Sequence, residues 1–158
     1  NQINETLRAL YELKMPTIML WPNADAGSED VARGMRKFRE HYEHGHIRFY
    51  KNFPVETFVR LMMRCAVMLG NSSAAVREGA FLGVPAVNVG TRQAGRERGA
   101  NVIDVGYERA EIMAAVDRQI HNGHYPSLPI YGDGHAGQRI ADIMAKIPKP
   151  SVQKRIAY

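Results

Sequence analysis

The sequence predicts an α/β domain built on a doubly wound parallel sheet. Three observations carry that prediction. Short apolar runs rich in β-branched residues alternate with longer amphipathic stretches, the pattern of βαβ units. Pro and Gly punctuate the boundaries between them, as at Pro16, Pro54 and Gly70. The length of 158 residues, 45% apolar and 23% charged, suits one globular domain with a full-sized core.

The elements follow in order. Residues 3–14 form a helix with Ile3, Leu7, Leu10 and Tyr11 on one face, ended by Pro16. Thr17-Ile18-Met19-Leu20-Trp21 is a strand, and the polar loop Pro22-Asn23-Ala24-Asp25-Ala26-Gly27 leads to Ser28, placed to cap a helix through His41. Ile47-Arg48-Phe49-Tyr50 is the second strand. Pro54 suits the first turn of the next helix, where its missing N–H has no partner to lose, with Val55, Phe58, Val59 and Met62 facing inward. Ala66-Val67-Met68-Leu69-Gly70 is continuously apolar and reads as a central strand covered on both faces. A helix over 73–82 precedes a strand at 85–89. A fifth strand spans 101–105, and a helix over 108–121 carries Ile112, Ala115, Val116 and Ile120 inward. The last helix spans 137–145. Residues 1–147 are thus one Rossmann-like domain, and 148–158 a basic flexible tail.

Composition narrows the function. No apolar run approaches the roughly 20 residues of a membrane span, and the start at Asn1 shows no signal-peptide core. Such a start, directly at an amphipathic helix, is expected of an excised domain. A lone cysteine, Cys65, excludes a disulfide framework, fits a cytoplasmic protein and reads as a buried structural thiol. The net charge of +5 and pI of about 9.5 favour anionic partners. The arginines at 92, 96 and 98 lack interleaved aromatics, so a nucleic-acid platform is not expected.

Two stretches carry chemistry. In Leu69-Gly70-Asn71-Ser72-Ser73-Ala74-Ala75-Val76-Arg77-Glu78 an apolar strand runs through a small polar turn into a helix. Helix N-termini present unpaired N–H groups that hold anions, and Ser72 and Ser73 add hydroxyl donors. Along a continuous helix Glu78 would sit about 7–8 Å beyond Ser73, the reach from a diphosphate to a ribose. The plainer alternative is that the serines cap the helix and Glu78 is a surface residue. The second stretch is Val89-Gly90-Thr91-Arg92-Gln93-Ala94-Gly95-Arg96-Glu97-Arg98-Gly99. In a parallel sheet it begins at the same carboxyl edge, where Gly90 permits close approach and Arg92 offers a planar donor fork to phosphate. Its alternative is a solvated arginine-rich loop.

These residues carry a family resemblance. Gly70-Asn71-Ser72-Ser73 with Val76-Arg77-Glu78, Gly83 through Gln93 and Gly95-Arg96-Glu97 resemble the UDP-N-acetylglucosamine 2-epimerases, above all their hydrolysing branch. Pro22-Asn23 with Asp25 to Ser28, and Ile130 to His135, are similar to that family too; the resemblance runs from about Leu20 to Ala145. It implies the C-terminal half of a GT-B fold, with UDP held mainly by this half. Ser72 and Ser73 would bind phosphate, Glu78 the ribose, Arg92 the diphosphate side and Asn23 the nucleotide. The backbone near Phe53 would contact the uracil edge, and Arg77 would be structural. The family eliminates UDP across C1–C2 of the sugar and adds water to release N-acetylmannosamine. Its acid/base carboxylates belong to an N-terminal domain, so no catalytic residue is expected here and the chain alone should be inactive. No cofactor or metal is implied. UDP or UDP-GlcNAc, that N-terminal domain and further copies in a homo-oligomeric full-length enzyme are the expected partners. Rival readings are the non-hydrolysing branch, a GT-B glycosyltransferase, a UDP-sugar sensor and a nucleic-acid binder.

Other candidates carry less. His41, His44 and His46 have no second ligand cluster to make a metal site. Walker-type and Gly-x-Gly-x-x-Gly motifs do not occur. Met62, Met63 and Met68 read as core filling, and Asp133 and His135 as turn chemistry or cleft lining.

Overall fold

A computed structural model describes residues 2–23, 27–43 and 45–148. The element order is α1 (Gln2–Leu13), β1 (Thr17–Leu20), α2 (Ser28–His41), β2 (Ile47–Tyr50), α3 (Val55–Arg64), β3 (Met68–Gly70), α4 (Ser73–Val76), α5 (Glu78–Leu82), β4 (Ala86–Val89), β5 (Val102–Val105), α6 (Arg109–Asn122) and α7 (Ala136–Lys146). Every strand pairing is parallel, as the βαβ pattern predicts.

The strands form two hydrogen-bonded groups, β1-β2 and β3-β4-β5, in place of one five-stranded ladder. Register is continuous within each: Thr17 faces Ile47, and Ala86 lies between Met68 and Val102. Helix α1 joins the groups through its two faces. Leu7 packs with Met35, Phe38 and Ile47, whereas Ala9 packs with Val87, Val89, Ile112 and Val116. Arg109 on α6 also pairs with Glu12 of α1 at 2.7 Å.

Several local expectations change. β4 is the strand buried along its whole length, and β3 is half-buried. Order β3-β4-β5 puts β4 in the middle, so it takes the central place that the apolar run before Gly70 implied for β3. Ser28 does not cap α2: Gly27 occupies the cap at φ 82°, a conformation that suits glycine, and Ser28 is the first helical residue. Val55 is 73% exposed at the start of α3, one residue after the Pro54 cap, and Met62 carries that helix's buried contact. The helix expected over 73–82 is interrupted at Arg77, whose φ of −89° and ψ of −71° sit at the edge of the right-handed helical region, leaving α4 and α5 as short segments. Gln119, beside the half-buried Ile120, completes the inner face of α6.

Cys65 is half-buried, with its thiol donating to the Met62 carbonyl at 3.2 Å. Burial pushes that thiol's pKa up, which suits a structural role. At α7 nothing is buried, and Ile140, Ile143, Met144 and Ile147 are exposed. No helix of the described residues is long and apolar enough to cross a membrane. Of the expected tail, residues 149–158 lie outside the described residues, as do Ala24, Asp25, Ala26 and His44.

Candidate functional site

Each site residue expected from the sequence follows the carboxyl end of a strand. Asn23 comes three positions after β1, which the Trp21 N–H extends by donating to the Tyr50 carbonyl at 2.9 Å. Phe53 comes three after β2, its ring against Tyr50 at 4.9 Å between centroids. Ser72 and Ser73 follow β3 after Gly70, whose φ of 140° turns the chain. Arg92 lies three residues beyond β4.

The β3 turn and the β4 loop meet. Arg92 Nη1 approaches Asn71 Oδ1 at 3.5 Å, and Gln93 Nε2 donates to the Asn71 backbone carbonyl at 2.8 Å. Arg92 and the two serines therefore belong to one edge, and the arginine-rich stretch is more than a solvated loop. Ser72 acts as the N-cap of α4, its Oγ accepting from the Ala74 N–H at 3.3 Å. That use of a lone pair leaves its O–H able to donate outward. Because α4 is one turn long, the anion-binding capacity here rests on hydroxyls and local N–H groups more than on a helix dipole. Glu78 opens α5, is exposed, and stands beyond the break at Arg77, so the straight-helix distance from Ser73 does not apply. Arg77 lies over the Tyr131 ring at 5.8 Å, and the Tyr131 hydroxyl donates to the Glu97 carbonyl at 2.6 Å.

A polar chain continues behind this edge. Arg98 Nη2 donates to the Gln93 carbonyl at 2.8 Å, and Arg98 Nε forms an ion pair with Asp104 Oδ2 at 2.5 Å without hydrogen-bond alignment. The other Asp104 oxygen accepts from Asn88 Nδ2 at 2.6 Å. The ends of β3, β4 and β5 are thereby tied together. Next to them an open hollow of about 410 Å³ is lined by Gly90, Thr91, Arg98, Asp104, Tyr107 and Glu111. Gly90 is required there, because a Cβ would fall 2.3 Å from the Tyr107 hydroxyl oxygen and φ is 79°.

Below the site, buried polar groups brace α4 against the sheet. Asn101 donates to the Val84 carbonyl at 2.8 Å and the Ala75 carbonyl at 3.4 Å. Gln119, fully buried, donates to the carbonyls of Ala86 and Asn101, both at 2.7 Å, and accepts from the Tyr125 hydroxyl at 2.7 Å. None of these roles is read from the sequence above. The sequence signal available was a polar residue inside each of two apolar runs, Asn88 and Asp104, which the structure places in matched register.

The set-aside groups resolve locally. His41 bonds the Lys37 carbonyl at 2.7 Å and His46 the Leu10 carbonyl at 3.2 Å, and no metal-holding cluster occurs among the described residues. Asp133 accepts from Arg139 Nη1 at 2.9 Å and from the His135 N–H at 3.1 Å, which is turn chemistry. The Arg139 guanidinium, followed by the His135 N–H, holds its carboxyl below the usual value.

Parallel strands flanked by helices, with polar side chains gathered at the strands' carboxyl ends, define a Rossmann-like α/β domain; in such folds that edge is where ligands bind. Comparison with known proteins gives the family: the chain belongs to the UDP-N-acetylglucosamine 2-epimerases, whose family model matches residues 1–145. It is 30% identical over 147 residues to the UDP-N,N'-diacetylbacillosamine 2-epimerase (hydrolyzing) of Legionella pneumophila, covering 93% of this chain and 38% of that protein. To the UDP-N-acetylglucosamine 2-epimerase of Neisseria meningitidis it is 29% identical over 130 residues, covering 80% and 33%. The chain thus spans about a third of the length of these relatives. Among solved structures it resembles the Methanocaldococcus jannaschii UDP-GlcNAc 2-epimerase in complex with UDP-GlcNAc and UDP. The TM-score is 0.62 at 14% identity, covering 92% of this chain and 53% of that one.

Proposed function

We propose that this chain is the UDP-binding portion of a hydrolysing UDP-N-acetylglucosamine 2-epimerase. The observation that carries the reading is the junction of the Asn71-Ser72-Ser73 turn with the Arg92-Gln93 loop, which gathers hydroxyl, N–H and guanidinium donors at one strand edge. That donor set suits a diphosphate, since hydroxyls and backbone N–H groups bind its oxygens without adding carboxylate repulsion. Glu78 accepts hydrogen bonds from the ribose hydroxyls, and Asn23 with the backbone near Phe53 meets the nucleotide from the β1 and β2 ends. Arg92 stabilises the negative charge that builds on UDP as its bond to the sugar C1 breaks.

In the complete enzyme the C1–O bond to UDP breaks and a proton leaves C2, giving 2-acetamidoglucal and UDP. Water then delivers a hydroxyl to C1 and a proton to C2 on the other face, which gives N-acetylmannosamine. The proton-transferring carboxylates belong to a domain outside this chain, so this chain alone binds UDP weakly and turns nothing over. The bare apolar stripe of α7 supports a further protein body beside this one. The Asn-Ser-Ser and Thr-Arg-Gln patterns, with the hydrolysing Legionella relative, favour the hydrolysing branch.

The test uses the full-length parent, incubated with UDP-GlcNAc and followed by proton NMR. Free UDP with N-acetylmannosamine is expected. An equilibrium of UDP-GlcNAc with UDP-ManNAc would assign the non-hydrolysing branch, and an untouched substrate would refute the epimerase reading.

A further inference from the structure

The arginine-rich loop is exposed on both sides of Gln93, yet Gln93 itself is only 2% exposed. A side chain of that polarity is buried in a surface loop at a cost that a specific hydrogen bond must offset. Its Nε2 donates to the Asn71 carbonyl while its Oε1 is buried without a hydrogen-bond partner among the described residues, so that one bond carries the orientation; turned over, the amide would set its oxygen against the Asn71 carbonyl. The Gln93 backbone carbonyl is held in turn by Arg98, which is anchored to Asp104 and through it to Asn88. The Gln93 side chain therefore holds the backbone of the turn beyond β3, and its own position is set from two other strands.

We infer that Gln93 is a positioning residue for diphosphate binding. Its amide sets the orientation of the Asn71 peptide, and so the direction of the Ser72 and Ser73 donors and their spacing from Arg92. This rests on the UDP-binding reading. The residue need touch no ligand itself: it reduces the rearrangement that donors on a short turn would otherwise undergo when an anion arrives.

The experiment is an NMR shift titration of this chain with UDP, inorganic pyrophosphate and uridine as separate probes, which follows millimolar affinities. Gln93→Met keeps length and volume but removes the donor; Gln93→Leu also removes it, without adding a charge that would itself repel a diphosphate. Both variants are expected to lose roughly five- to tenfold in affinity for UDP and pyrophosphate, the worth of one misplaced donor set, with uridine affinity unchanged. Wild-type affinity for pyrophosphate in either folded variant would overturn the inference, as would equal losses for uridine and pyrophosphate, which mark general loosening. A wild-type chain that responds to neither UDP nor pyrophosphate would overturn the UDP reading and this inference with it. A wild type that binds both, with variants that bind equally, would overturn the positioning role alone.

Discussion

Replacing Gln119 by Met and Tyr125 by Phe, singly and together, probes how the buried polar brace holds the site's foundation. Gln119 is fully buried, and all three of its hydrogen bonds, to Ala86 O, Asn101 O and the Tyr125 hydroxyl, measure 2.7 Å. Met matches the volume and leaves no cavity, so the loss is polar. Each net hydrogen bond is worth about 0.5–1.5 kcal/mol, and a buried acceptor left unsatisfied costs about 1–3 kcal/mol. Two carbonyls lose a donor, but the Asn101 carbonyl keeps the Ala86 N–H at 2.8 Å and the half-buried Tyr125 hydroxyl can still find water, so Gln119→Met should cost about 2–4 kcal/mol, the worth of three net hydrogen bonds. Tyr125→Phe strands only the Gln119 Oε1 and should cost about 1–2 kcal/mol. In the Gln119→Met background Tyr125→Phe has no partner left to strand and should be nearly neutral, a coupling of about 1 kcal/mol or more. Urea unfolding of the four proteins measures this directly. A Gln119→Met loss below about 1 kcal/mol, or fully additive losses, would refute the claim that these bonds act as a unit.

Other outcomes follow from the same geometry. Ser72→Ala with Ser73→Ala should weaken UDP binding while lowering stability by only about 0.5–1 kcal/mol, since the cap bond is long at 3.3 Å; unchanged affinity by calorimetry rejects the phosphate role. Glu78→Gln should reduce affinity for UDP but not for inorganic phosphate, and equal losses reject a ribose contact. Asp133 titrates below the usual carboxylate value, so whatever it adds to stability is present above that value and fades as pH falls through its lowered pKa. Arg139→Gln should move its NMR-detected titration upward, and an unmoved titration would show that Arg139 is not the cause. Ile143→Glu with Met144→Lys alters exposed side chains of α7 and should shift the melting temperature by no more than about 2 °C; a larger fall would mean that α7 packs on this domain.

Periodicity made most of the fold legible. The ranges of α2, β2 and α6 lie within a residue of those expected, because each shows a clean apolar pattern bounded by Pro, Gly or polar turns. What periodicity does not encode is partnership. It cannot tell that β4 and not β3 takes the middle of its group, since both are short apolar runs. Nor does it mark the break at Arg77, because Ala, Val, Arg and Glu around it all permit helix. Of the site, Ser72, Ser73 and Arg92 could be placed at strand ends from order alone. Gln93 and Arg98 read as ordinary loop polarity and Asn101 as the first residue of a strand, and only folding shows that their side chains turn inward to backbone carbonyls.

The central claim is that the carboxyl edge of the strands binds UDP. The most direct measurement is a titration of the isotopically labelled chain with UDP, followed by amide NMR shifts. Saturable shifts concentrated at residues 71–73, 78 and 91–93, with smaller ones near Asn23 and Phe53, are the result this account predicts. No saturable shift up to millimolar UDP, or shifts confined to residues away from the strands' carboxyl ends, would contradict it.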